Sequence, residues 1–171
     1  MKSDNISRRS FFKQALALSA VSAMPAFWIP GAKAASGAPR VSANDKVRIA
    51  FIGIGNRGAD ISQRMFKTGL CEVVALCDVD MGAPHTQKII SMFPDVTRFQ
   101  DFRQMFDKMA DKIDAVTVCT PDHSHFPITI EAMAHGKHVY VEKPMARTFQ
   151  EVELMMRAEK KFGVVTQMGN Q

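Results

Sequence analysis

The chain has 171 residues, 46% of them hydrophobic and 23% charged, which is enough apolar material for one core of ordinary size. Of the formal net charge of +5, residues 1–34 account for +4 (Lys2, Arg8, Arg9, Lys13 and Lys33 against Asp4), so about +1 belongs to the rest. Bulk charge thus gives no case for a nucleic-acid partner, and Cys71, Cys77 and Cys119 are too few for a disulfide framework and read as small buried apolar residues.

The chain opens with Ser7-Arg8-Arg9-Ser10-Phe11-Phe12-Lys13, a mostly apolar run from Ala15 to Ile29, and Ala32-Lys33-Ala34. Paired arginines ahead of a short apolar run, then small-x-small, are the pattern of a twin-arginine export signal cut after Ala34. The apolar run contains Pro25 and is shorter than the roughly twenty residues a bilayer span needs, which makes an uncleaved anchor the lesser alternative. The expectation is a signal at 1–34, a flexible Ser/Gly/Ala/Pro leader at 35–45, and one folded domain at 46–171, handled by the twin-arginine translocase and destined for the periplasm or beyond.

From Lys46 onward, apolar runs alternate with helical periodicity. Strands are expected at 47–53, 72–77, 96–99, 115–119, 138–141 and 164–167, and helices at about 58–67, 84–93, 101–110, 125–135 and 148–162. Short strands apolar on both faces, separated by helices, define an α/β class with a doubly wound, mostly parallel sheet. Met92, Met105, Met109, Met133, Met155 and Met156 fall mostly on the packed helix faces and read as core filler.

The first strand breaks into Gly53-Ile54-Gly55-Asn56-Arg57-Gly58, a G-x-G-x-x-G turn. Gly53 permits the tight turn, Gly55 lets a pyrophosphate reach the backbone without meeting a Cβ, and Gly58 lets the next helix pack on the strand. Asp78, twenty residues beyond Gly58, ends the second strand, where a carboxylate can accept from ribose hydroxyls and repel a 2′-phosphate. No Lys or Arg follows within the next several residues, so NAD is expected over NADP; the plainer alternative is that Asp78 caps the Val79-Asp80-Met81-Gly82 turn.

Two later loops are polar at strand ends. In Thr120-Pro121-Asp122-His123-Ser124-His125, Thr120 and Pro121 are expected beside the nicotinamide, with Asp122 or Ser124 capping the following helix; His123 and His125 make a poor metal site without a third ligand, and none is expected. In Glu142-Lys143-Pro144, Lys143 can polarise a substrate oxygen, or assist proton transfer if burial lowers its pKa; the plainer alternative is a Glu and a Lys flanking a proline-forced turn.

Taken in order, Gly53-x-Gly55-x-x-Gly58, Asp78, Thr120-Pro121-Asp122-x-x-His125, Glu142-Lys143-Pro144 and Gln167-Met168-Gly169-Asn170-Gln171 resemble the N-terminal domain of the Gfo/Idh/MocA (glucose-fructose oxidoreductase/inositol dehydrogenase) family over residues 46–171. The resemblance is strongest to secreted bacterial members, whose neighbourhood includes NAD-dependent α-N-acetylgalactosaminidases. It implies that Asn56, Arg57 and Asp78 contact the adenosine and pyrophosphate half, the 122–125 loop and Glu142-Lys143 the nicotinamide half, and Asn170 its far edge, with Lys143 as the catalytic-site lysine. It also implies a further α+β domain, not found in this sequence, carrying substrate contacts and any oligomer interface. The functions that follow are the NAD-binding part of an exported oxidoreductase acting on a sugar, cyclitol or polyol; alternatively, part of an NAD-dependent glycosidase; or a noncatalytic fragment.

Overall fold

The computed structural model describes residues 45–170. The expected signal, all but the last residue of the leader, and Gln171 lie outside the described residues.

The elements follow in strict alternation: β1 (Val47–Ile52), α1 (Asn56–Lys67), β2 (Cys71–Cys77), α2 (Gln87–Met92), β3 (Thr97–Phe99), α3 (Phe102–Met109), β4 (Ala115–Val118), α4 (His125–Ala134), β5 (His138–Val141), α5 (Phe149–Phe162) and β6 (Thr166–Met168). Short 3-10 turns stand at Ala110–Lys112 and Asp122–Ser124. The six strands form one parallel sheet in the order β3-β2-β1-β4-β5-β6, which is the doubly wound class expected. Because the chain leaves β1 in one direction and returns at β4 for the other half, a crevice opens at the carboxyl ends of these two strands.

The side-chain alternation of β1 shows how the sheet is held. Ala50 and Ile52 join Met105, Phe106, Val116, Met133 and Met155 in one apolar cluster, whereas Ile49 and Phe51 join Ile54, Leu76, Ile89 and Phe93 in another. With both faces covered, each fully buried Phe or Ile contributes about 1.5–3 kcal/mol of hydrophobic stabilisation. Among the methionines expected in the core, Met105, Met133 and Met155 are buried, but Met92 and Met156 are exposed. They stand on the outer sides of short or amphipathic helices, where periodicity read without the sheet misassigns the face.

Local chemistry sets several boundaries. Thr148 and Glu151 form a reciprocal capping box at the start of α5, and Gly163 ends that helix in the left-handed region. Asp101 caps α3 by accepting from Arg103 N–H at 2.9 Å. The helix expected from 84 begins only at Gln87, because the preceding residues turn on themselves: Thr86 Oγ1 donates to Ala83 O at 2.8 Å and Gln87 Nε2 to Met81 O at 2.9 Å. β6 begins two residues later than expected and ends one later, since pairing with Val139–Val141 sets its register.

At the amino edge of the sheet, Arg48 and Asp114 form a bidentate pair at 2.6 and 3.0 Å, and Arg48 N–H donates to the same carboxylate at 2.9 Å. The Arg48 hydrogen bond holds the Asp114 carboxyl below the usual carboxylate range.

Candidate functional site

β1 ends in Gly53, whose φ of +79° turns the chain sharply, and an added Cβ there would stand 2.6 Å from Cys119 C and Thr120 N. A Cβ on Gly58 would overlap Gly53 O outright. Glycine is therefore required twice by packing alone, and the result brings the N-terminus of α1 directly against the ends of β1 and β4. Asn56 takes the first helical position with φ of +42°, a conformation Asn tolerates better than most side chains. No side chain among the described residues caps this helix; Gly58 N–H donates to Gly55 O at 2.8 Å, which leaves the Asn56 and Arg57 N–H groups to an anion.

Asp78 plays two parts. Its Oδ2 accepts from Ile54 N–H at 2.9 Å, fixing the glycine turn from β2, while Oδ1 accepts from Asp80 N–H at 3.1 Å, the turn-capping contact. An ionised carboxylate has further acceptor capacity on both oxygens, so these bonds leave it free to receive ribose hydroxyls.

Around these residues lies a cleft of ≈ 820 Å³, within the roughly 300–1,000 Å³ typical of small-molecule and cofactor sites. Gly53, Gly55, Asn56, Arg57, Asp78, Thr120 and Pro121 all line it. A second cleft of ≈ 460 Å³ is lined by Arg57, Cys119, Thr120, Asp122, His125, Glu142 and Lys143. Arg57, Cys119 and Thr120 border both, so the two adjoin along the carboxyl edge.

The second cleft carries the more unusual chemistry. Glu142 is 5% exposed, yet among the described residues its carboxylate receives only long contacts, from Arg57 Nε at 3.4 Å and Tyr140 hydroxyl at 3.3 Å. Gly169 packs against it, and a Cβ at that position would lie 2.7 Å from Glu142 Oε1. Thr120 Oγ1 is buried without a hydrogen-bond partner among the described residues. An under-served carboxylate and an orphaned hydroxyl beside a cleft fit a polar ligand that completes them. Lys143 is exposed at the rim, next to the cis Lys143–Pro144 peptide.

His125 begins α4 as expected, but its ring turns inward. It is 2% exposed, and both ring nitrogens face carbonyl oxygens, Pro144 O at 2.6 Å and Thr120 O at 2.8 Å. It ties the two loops together from beneath. Neither Asp122 nor Ser124 caps α4: Asp122 Oδ1 instead accepts from His123 N–H at 2.9 Å inside the 3-10 turn. Asn170 is exposed beyond β6 and lines neither cleft.

The larger cleft also gathers residues the sequence reading did not single out. Gln100, Phe102 and Arg103 reach it from the carboxyl end of β3, with the Arg103 guanidinium 4.3 Å from the Phe102 ring centroid. No Lys or Arg closely follows Asp78 in sequence, but the sheet order places β3 beside β2 and brings Arg103 to the same cleft. Burial pushes the Cys77 and Cys119 thiols up to about 12, reinforced by Asp78 and Glu142 respectively, so neither is a nucleophile near neutral pH.

A doubly wound parallel sheet with a glycine-lined helix N-terminus, a carboxylate at the end of β2 and a cleft across the switch point defines a dinucleotide-binding domain. Residues 47–170 match the family model described as oxidoreductase family, NAD-binding Rossmann fold, and the chain belongs to this Gfo/Idh/MocA family.

The chain is 37% identical to an α-N-acetylgalactosaminidase of Bacteroides fragilis over 121 residues, covering 67% of this chain and 28% of that protein. It therefore spans about a third or less of such a relative. Among solved structures, a dehydrogenase from Chromobacterium violaceum superposes with a TM-score of 0.66 at 25% identity, covering 72% of this chain and 35% of that one. The WlbA dehydrogenase from Bordetella pertussis, solved with NADH and UDP-GlcNAcA, superposes with a TM-score of 0.63 at 25% identity, covering 72% and 37%.

Proposed function

We propose that this chain is the NAD-binding part of an exported enzyme that oxidises a carbinol carbon of a carbohydrate or related polyol. The observation that carries the reading is the juxtaposition of Thr120, Glu142 and Lys143 around a cleft adjoining the dinucleotide cleft. Bound NAD would supply the hydride acceptor. Asp78 would hold the adenosine ribose, the uncapped N-terminus of α1 with Arg57 the diphosphate, and Thr120 and Glu142 the amide-bearing end. Lys143 would place its ammonium against the reacting oxygen and stabilise the negative charge that grows there as its proton passes to a base of the full-length enzyme.

A second reading keeps these roles but makes the net reaction hydrolysis, with oxidation of the sugar reversed before product leaves. It is favoured by the likeness to the B. fragilis α-N-acetylgalactosaminidase, and such an enzyme would not need the paired carboxylates of ordinary glycosidases. Steady turnover by the full-length enzyme decides between them. A requirement for an added hydride acceptor marks the dehydrogenase, turnover without one marks the glycosidase, and failure to bind NAD at all would remove both.

Export by the twin-arginine route belongs to the same proposal, because that route carries folded proteins and lets cofactor be loaded in the cytoplasm. Changing Arg8 and Arg9 together to Lys should leave the protein unprocessed in the cytoplasm. Normal export and cutting of that variant would contradict it.

A further inference from the structure

The loop between β2 and α2 turns back over the glycine turn, and the exposed His85 lies against Gly55. Its ring Cδ2 would overlap a Cβ placed on that glycine, and its Nε2 would stand 2.9 Å from it. The middle glycine of this turn exists so that a pyrophosphate can come against the backbone. Here an imidazole fills that space.

The charges nearby make this more than a packing detail. Arg57, the cation of the glycine turn, is engaged by Asp60 at 3.0 Å and Glu142 at 3.4 Å, and Asp78 and Asp80 also line the cleft. A diphosphate entering there meets a guanidinium already shared between two carboxylates. The His85 ring nitrogens, by contrast, have no hydrogen-bond partner among the described residues, and the side chain borders both the dinucleotide cleft and a smaller one that holds Lys88.

We propose that His85 is a ligand for the cofactor diphosphate: the ring that covers Gly55 moves aside as the dinucleotide enters and donates a ring N–H to a phosphate oxygen. This rests on the NAD-binding reading above. It adds a recognition element from the β2–α2 loop to a site otherwise built from the glycine turn and the strand ends.

Three variants of the chain, titrated with NADH, test it. His85→Ala should weaken binding by about tenfold, the scale of one hydrogen bond to a charged group. His85→Gln, which keeps a donor, should stay within about threefold of wild type, and His85→Phe, which keeps the ring without a donor, should fall at least as far as Ala. Tighter binding by Ala with Phe near wild type would show that the ring is only a plug and overturn the proposal. Equal losses in Ala and Gln, or no loss in any variant, would overturn it as well. Wild-type chain that binds no NADH would instead remove the NAD-binding reading itself.

Discussion

The two edges of the sheet are built on different terms. At the amino edge, polar groups meet protein partners: Arg48 reaches Asp114 through two nitrogens and Asp111 O at 3.1 Å. The turn glycines there, Gly69 and Gly136, have open space where a Cβ would stand. At the carboxyl edge, Gly53 and Gly58 press on backbone, Gly169 presses on a buried carboxylate, and Thr120 Oγ1 has no partner among the described residues. One edge is complete as protein. The other is complementary to something else.

The sharpest way to break this contrast is to add a methyl group at each edge. Gly58→Ala forces α1 away from β1 and should abolish measurable NADH binding and cost several kcal/mol, on the order of an overpacked core site or more. Gly69→Ala, with φ of +72° but empty space around it, should cost only about 1–2 kcal/mol and leave NADH affinity unchanged. Urea denaturation and NADH titration of both variants check the pair. Similar effects at the two positions would erase the distinction.

The next effect concerns chemistry at the carboxyl edge. In the full-length enzyme, Lys143→Met should lower turnover by about a hundredfold or more, the contribution of a single electrostatic or acid–base group, with NAD affinity changed much less. Near-normal turnover with loss of cofactor would make Lys143 a binding residue.

At the amino edge the expectation is one of stability alone. Asp114→Asn should cost about 2 kcal/mol at neutral pH, because it breaks a half-buried ion pair, and should leave cofactor affinity intact. Arg48 lowers the carboxyl's pKa in the folded state, so its contribution is present above the ordinary carboxylate value of about 3.9 and is lost as pH falls through the folded value. The gap between wild type and variant, followed by urea denaturation, should therefore narrow in acid.

How much of this was legible in residue order depends on whether the feature is local. The strands, the glycine turn and Asp78 could be read because each is a run or a spacing within a few residues, and the alternation of elements then implied the doubly wound sheet. Met156 was misplaced and β6 shifted because a face and a register are decided by the neighbouring element. Arg103 and His85 escaped notice for the same reason: each reaches the cleft from a different loop, and only the strand order brings them to Asp78 and Gly55. His125 stood inside a recognised motif, yet its inward bonds to Thr120 O and Pro144 O depend on two loops meeting.

Asp78 bears most directly on the claim that the carboxyl edge is a site for NAD. Calorimetric titration of the chain with NADH and NADPH, in wild type and in Asp78→Ser, measures it. A carboxylate facing the ribose predicts NADH tighter by about tenfold or more in wild type, with the difference narrowing in the variant as NADH binding weakens and repulsion of the 2′-phosphate is relieved. Equal affinity for the two cofactors, or tighter NADPH binding through Arg103, would contradict it.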